Sequence, residues 1–175
     1  MTLHKLVLIL LVGMLVLKVA RADDNVHFSG ALVSEPCSLP VADTDIHVDF
    51  GSVIEKYLYQ NHRTKSQPFS IHLDNCDPSI MKSVSVTFLG TADSELAGTL
   101  SMDASSNAKG IVIGFEDSNG VKLPLNEESS YSKLINGSNL LNFNAFIEAK
   151  PSAINMGTIA PGDFTATVNF LLNYQ

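Results

Sequence analysis

Five histidines (His4, His27, His47, His62 and His72) and two cysteines (Cys37 and Cys76) are the side chains of this 175-residue chain best suited to chemistry. His47 stands two residues before Asp49, and His72 two before Asp74. Residues at i and i+2 of a strand share a face, so each pair offers the histidine–carboxylate contact that can orient a general base. A nucleophile in a recognisable frame is missing. There is no Gly-x-Ser-x-Gly, no His-Glu-x-x-His and no cysteine–histidine signature. No glycine-rich phosphate loop occurs, and without tryptophan no sugar-stacking platform is evident. Surface or turn positions account better for these histidines, so no catalytic residue, no enzyme activity and no cofactor is expected. Two cysteines without a histidine pair nearby make a poor zinc site, so no metal centre is expected either.

The compartment decides how the cysteines are read. His4 and Lys5 precede an apolar run over residues 6–17, followed by Lys18 and the small-residue site Ala20-Arg21-Ala22. That pattern predicts a secretory signal peptide over residues 1–22. The run is too short to span a membrane, which takes roughly 20 apolar residues. In an exported chain an even pair of cysteines reads as a disulfide, here Cys37–Cys76. Closing a loop of about 40 residues is worth on the order of 4 kcal/mol. The formal net charge is −7, and the leader takes away Lys5, Lys18 and Arg21 but no acid. An acidic domain without a basic cluster argues against nucleic acid and anionic lipid as partners. Asn136-Gly137-Ser138 matches a glycosylation sequon, a weak signal alone.

The elements that must position these residues are strands. Alternating apolar residues predict strands at residues 26–33, at Ile46, Val48 and Phe50, at Phe69, Ile71 and Leu73, and at Val84, Val86 and Phe88. Residues 96–102 are a weaker candidate. Ile111, Ile113 and Phe115 form another strand, closed by the turn Asp117-Ser118-Asn119-Gly120. Leu141, Phe143, Ala145 and Ile147 follow, and a last strand spans residues 164–174 after Ala160-Pro161-Gly162-Asp163. A short helix is expected around residues 52–59, and a polar loop over 133–138. Short strands between turn signals imply an all-β sandwich in one domain.

The two ends of the mature chain stand out. Val26, Phe28, Gly30 and Leu32 share one face of the first strand; Ala166, Val168, Phe170, Leu172 and Tyr174 share one face of the last. Gly30 is the odd member, since glycine inside a strand often marks close approach of another backbone. Pattern alone leaves two readings open: a pair of ordinary edge strands, or a first strand that completes the sheet of another subunit.

Several motifs, in order behind the leader, carry a resemblance. They are Phe28-Ser29-Gly30 leading to Cys37, Leu73-Asp74-Asn75-Cys76, Val86-Thr87-Phe88-Leu89-Gly90-Thr91, and Gly162 before an alternating strand with penultimate Tyr174. Over essentially the whole precursor the chain resembles the pilins of bacterial chaperone–usher pili, the family of type 1 and P-pilus subunits. The resemblance implies an incomplete immunoglobulin-like sandwich that lacks its last strand. It implies a periplasmic chaperone that lends a strand, and an outer-membrane usher at which the next subunit's N-terminal extension replaces it. Residues 23–36 would be that extension and residues 37–175 the pilin domain. Val26, Phe28, Gly30 and Leu32 would be the donor face. Gly162, Val168, Phe170, Leu172 and Tyr174 would belong to the acceptor strand, and Cys37 and Cys76 would staple the opening strands. The expected function is a structural subunit of an adhesive fimbrium, exported and assembled outside the cell, with any host-receptor contact indirect. The short stretch ahead of Gly30 looks more like a minor tip or adaptor subunit. The alternatives are a major rod pilin, a terminator, or a self-contained secreted sandwich that binds a ligand.

Overall fold

The computed structural model describes residues 28–30, 32 and 34–175. The chain divides into Met1–Val33 and Ser34–Gln175, and all the described secondary structure lies in the second unit. In chain order it holds a 3-10 turn (Val41–Thr44), α1 (Glu55–Asn61), β1 (Gln67–Cys76), β2 (Ser83–Leu89), β3 (Leu100–Ser101), β4 (Ile111–Asp117), β5 (Lys122–Leu123), β6 (Ser132–Lys133), β7 (Gly137–Ala149), α2 (Pro151–Met156) and β8 (Asn169–Tyr174). The first sheet runs β1-β7-β4-β3, with β5 paired to β4; the second runs β6-β2-β8. All the pairings are antiparallel.

Period-two patterning turns one face of each sheet inward. Ile71 and Leu73 of β1, Leu141, Phe143, Ala145 and Ile147 of β7, and Val84, Val86 and Phe88 of β2 are buried in one core. The register sets Phe69 opposite Phe143 and Phe115 opposite Ala145. Phe88 crosses from the second sheet to meet them: its ring stacks on Phe115 at 4.8 Å and lies edge-on to Phe143 at 5.2 Å. Such pairs add about 0.5–1.5 kcal/mol each beyond burial.

Phe146 is buried on the opposite face of β7 because Gly114, its register partner, leaves room. A Cβ on Gly114 would come within 2.3 Å of the Phe146 ring. The Arg63 guanidinium covers that ring at 3.5 Å and bonds Ser66 Oγ (2.8 Å) and Glu116 Oε2 (3.1 Å).

Four strand expectations change. Phe28, Ser29, Gly30 and Leu32 lie in no strand, and Val26 and Val33 fall outside the described residues. Ile46, Val48 and Phe50 are also outside any strand, although their burial alternates with exposed neighbours as in one. The final strand is confined to Asn169–Tyr174 among the described residues, and the 96–102 candidate shrinks to Leu100–Ser101. The physical reason is common to the first three: alternation reports which face is apolar, whereas a strand requires a ladder partner. The expected helix is present, shifted to Glu55–Asn61. The loop over 133–138 is shorter than expected, since β6 and β7 take in its two ends. Helix α2 was not anticipated, yet its marks are in the sequence: Pro151 at the first turn and Gly157 in the left-handed C-cap.

Candidate functional site

The site begins with the edges of β8. Ser83 and Gln175 exchange both backbone hydrogen bonds, Ser83 N to Gln175 O at 2.9 Å and Gln175 N to Ser83 O at 3.0 Å. The register from Val84↔Tyr174 to Leu89↔Asn169 is unbroken. Antiparallel ladders alternate bonded and non-bonded pairs. The backbone groups of Asn169, Leu171 and Asn173 therefore face β2, as those of Gln175 do. Upstream the odd residues keep to that side: Thr165 O accepts from Asp103 N (2.9 Å), and Asp163 O from Asn107 N (2.8 Å). The even residues Phe164, Ala166, Val168, Phe170, Leu172 and Tyr174 present their N–H and C=O groups to the opposite edge. No backbone partner meets them among the described residues.

A second bank has the same property. Ile46, Val48 and Phe50 are partly buried against the core, while Asp45, His47 and Asp49 alternate with them on the surface. No residue from 45 to 53 makes a backbone–backbone hydrogen bond among the described residues. Between the banks lies a cavity of about 620 Å³, lined by Ile46, Val48 and Phe50, by residues 164–170, and floored by Phe69, Phe88 and Phe115. It is an apolar trough with free backbone groups along both rims. Those are the requirements of one added β-strand: pockets for alternate side chains and a ladder on each side.

Neighbouring contacts fix the 37–50 bank. The Cys37–Cys76 disulfide ties it to the end of β1. Beside it Ser38 and Asp74 exchange two backbone bonds of 2.8 Å. Asp43 anchors the 3-10 turn, accepting from the His72 backbone N–H and lying 2.8 Å from His72 Nδ1. The backbone bond from His72 is the main reason the Asp43 carboxyl is held below its ordinary range, against the opposing effect of its burial. At the far end of β8, burial pushes the Tyr174 phenol up, with the Glu35 charge adding to it.

The histidine–carboxylate contacts that the i,i+2 spacing made possible do not form. His72 pairs with Asp43 rather than Asp74, and His47 Nε2 lies 3.4 Å from Asp45 rather than at Asp49. Asp74 instead accepts from Ser138 Oγ at 2.9 Å. Of the expected acceptor residues, Val168 and Phe170 line the cavity, and Leu172 and Tyr174 continue the same partly buried face. Gly162 stands before the bank, outside the cavity, where a Cβ would meet Asn107 Cβ at 2.7 Å and Ala108 N at 2.8 Å. Of the expected donor residues, Phe28, Gly30 and Leu32 are exposed, and Val26 lies outside the described residues. The second bank, Ile46, Val48 and Phe50, was not anticipated as part of a site; its alternation was legible, its lack of a partner was not.

Comparison with known proteins agrees with this architecture. The family model described as Fimbrial protein matches residues 26–175. The major MR/P fimbria protein of Proteus mirabilis is 32% identical, with all of both chains covered. The fimbrial adapter PapK of Escherichia coli is also 32% identical, covering 86% of this chain and 88% of its own. Among solved structures the P pilus rod subunit PapA superposes with a TM-score of 0.70 at 23% identity, over 81% of this chain and 100% of that one. That likeness supports an immunoglobulin-like sandwich. The chain belongs to the fimbrial protein family and is a pilin, a structural subunit of a bacterial fimbrium.

Proposed function

We propose that the groove between residues 46–50 and 164–174 receives a β-strand from a second polypeptide, first a periplasmic chaperone and then, at an outer-membrane usher, the N-terminal extension of the next subunit. Strand addition is the known mode of chaperone–pilin complexes. One observation carries the reading here: six alternate residues of one bank, from Phe164 to Tyr174, hold backbone groups without a backbone partner among the described residues, and the first four of them line an apolar cavity. An open row of strand N–H and C=O groups is a template for pairing with another chain, and a paired strand would satisfy both banks at once.

Residues 26–32 are the proposed donor of this chain, following removal of residues 1–22 on export. Phe28 and Leu32 are 93% and 105% exposed, large apolar side chains that gain by burial elsewhere. Burial of each is worth up to roughly 1.5–3 kcal/mol. A one-residue slip would turn them outward, so the register of such a link is fixed by the sequence. Gly30 would let the donor backbone lie close over a filled pocket.

The position we propose in the fibre is a minor tip or adaptor subunit. Equal identity to a major subunit and to an adapter leaves similarity neutral; the short stretch between residue 23 and Gly30 favours the minor role. Immunogold labelling of native fimbriae tests it. Label confined to tips supports the minor role, and label along the shaft supports a rod pilin. The strand-acceptor reading is tested by co-expressing the mature chain with its chaperone and adding a peptide of residues 23–36. A one-to-one chaperone complex, with the peptide captured by the groove and its Gly30→Leu form rejected, is expected. A stable monomer that ignores both would favour a self-contained binding module.

A further inference from the structure

The exposed rim of the groove is charged on one side. Asp45, His47 and Asp49 alternate outward along the first bank, while Thr165, Thr167 and Asn169 alternate outward along the other. Among the described residues no lysine or arginine lines the cavity. His47 contacts Asp45, whereas Asp49 has no ion pair among the described residues. A strand laid between the banks would set its outward side chains beside Asp45 and Asp49. Facing pairs in a sheet gain about 0.2–1 kcal/mol when the charges are opposite and lose when they are alike.

Resting on the strand-acceptor reading, we infer that the groove selects a strand from a different polypeptide, one whose outward positions are basic, over the extension of a second copy of this chain. The chain's own residues 23–33 read Asp-Asp-Asn-Val-His-Phe-Ser-Gly-Ala-Leu-Val. Over the proposed donor 26–32 the outward positions are His27, Ser29 and Ala31, with neither lysine nor arginine, so they do not complement the rim. Apolar pockets accept any strand of suitable alternation; the rim adds discrimination between strands that fill those pockets equally well.

A competition experiment decides it. The full mature chain is refolded with equal amounts of three peptides of residues 23–36: the native sequence, His27→Lys with Ser29→Lys, and His27→Glu with Ser29→Glu. Captured peptide is quantified by mass spectrometry. The donor face is identical in all three, so only the outward positions differ. The lysine peptide should be captured roughly three- to tenfold over the glutamate peptide, with the native peptide below the lysine one. The ratio should fall toward one in high salt and in the Asp45→Asn, Asp49→Asn chain, whose side chains are exposed and near-isosteric. Equal capture of lysine and glutamate peptides overturns the inference and leaves the strand-acceptor reading standing. So does a preference that survives in the double variant, or native peptide captured best. Capture of none overturns both.

Discussion

Gly114 and Phe146 illustrate how closely single residues set this sandwich. The glycine exists to admit the ring, and Arg63 closes over it. Gly114→Ala places a methyl inside the ring's contact distance, an overpacking expected to cost about 1–3 kcal/mol. A urea melt of the groove-filled subunit reads that cost as a lowered midpoint. Asp43 gives a second prediction at this scale. Its carboxyl is held below the ordinary range by the His72 backbone bond. A carboxylate lowered in the folded state contributes stability above its unfolded value, near 3.9, and loses it as the pH falls through its folded value. Stability should therefore decline below about pH 4, and Asp43→Asn should lower stability at neutral pH while flattening that decline. Urea midpoints between acid and neutral pH measure both. Asp93 resists its own burial by other means: Lys150 and the backbone N–H groups of Glu95 and Leu96 outweigh the desolvation and hold it lowered.

At the scale of elements, the parity of the last strand makes a sharper claim. Proline removes a backbone donor. In Leu171→Pro the lost N–H is one that faces Thr87 of β2, so the second sheet itself should fail and little soluble chain should form. In Ala166→Pro the lost N–H faces the groove. That chain should fold and bury its core yet capture the donor peptide more weakly, by about tenfold for a bond worth some 1.4 kcal/mol. Circular dichroism separates the two failures from each other. The same parity explains what the sequence could and could not tell. Alternation at Ile46, Val48 and Phe50 and at Phe164, Ala166 and Val168 correctly named the inward side chains. By itself it predicts a strand at both places, because side-chain period carries no record of whether a ladder partner is present. The inward face Val168 to Tyr174 was legible in the alternation, its expected acceptor role came from the resemblance to pilins, and the opposite bank, which no motif of that resemblance covers, was missed. The histidine contacts turned out differently: His72 meets Asp43 from the 3-10 turn, and His47 meets its i−2 neighbour Asp45 rather than its i+2 neighbour Asp49.

Across the whole molecule, an open apolar trough makes the isolated subunit incomplete. The mature chain alone should self-associate or be degraded, and a groove-filling strand should rescue it as a monodisperse complex; size-exclusion chromatography with light scattering checks this. The disulfide matters at the same scale, because it joins one bank to β1. Cys37→Ser with Cys76→Ser should lower stability by about 4 kcal/mol, enough to abolish accumulation of a subunit already short of a strand. The central claim is that the even residues of the last strand lack partners until a second chain supplies them. Amide hydrogen exchange tests it directly. Freshly refolded mature chain would be compared alone and with the peptide of residues 23–36, resolved by residue. Without peptide, protection is expected at Asn169, Leu171 and Asn173 and not at their even neighbours. With peptide, Ala166, Val168, Phe170, Leu172 and Tyr174 should become protected, along with residues 46–50. If the even amides are already protected without peptide, or gain nothing when it is bound, the groove is not a strand acceptor.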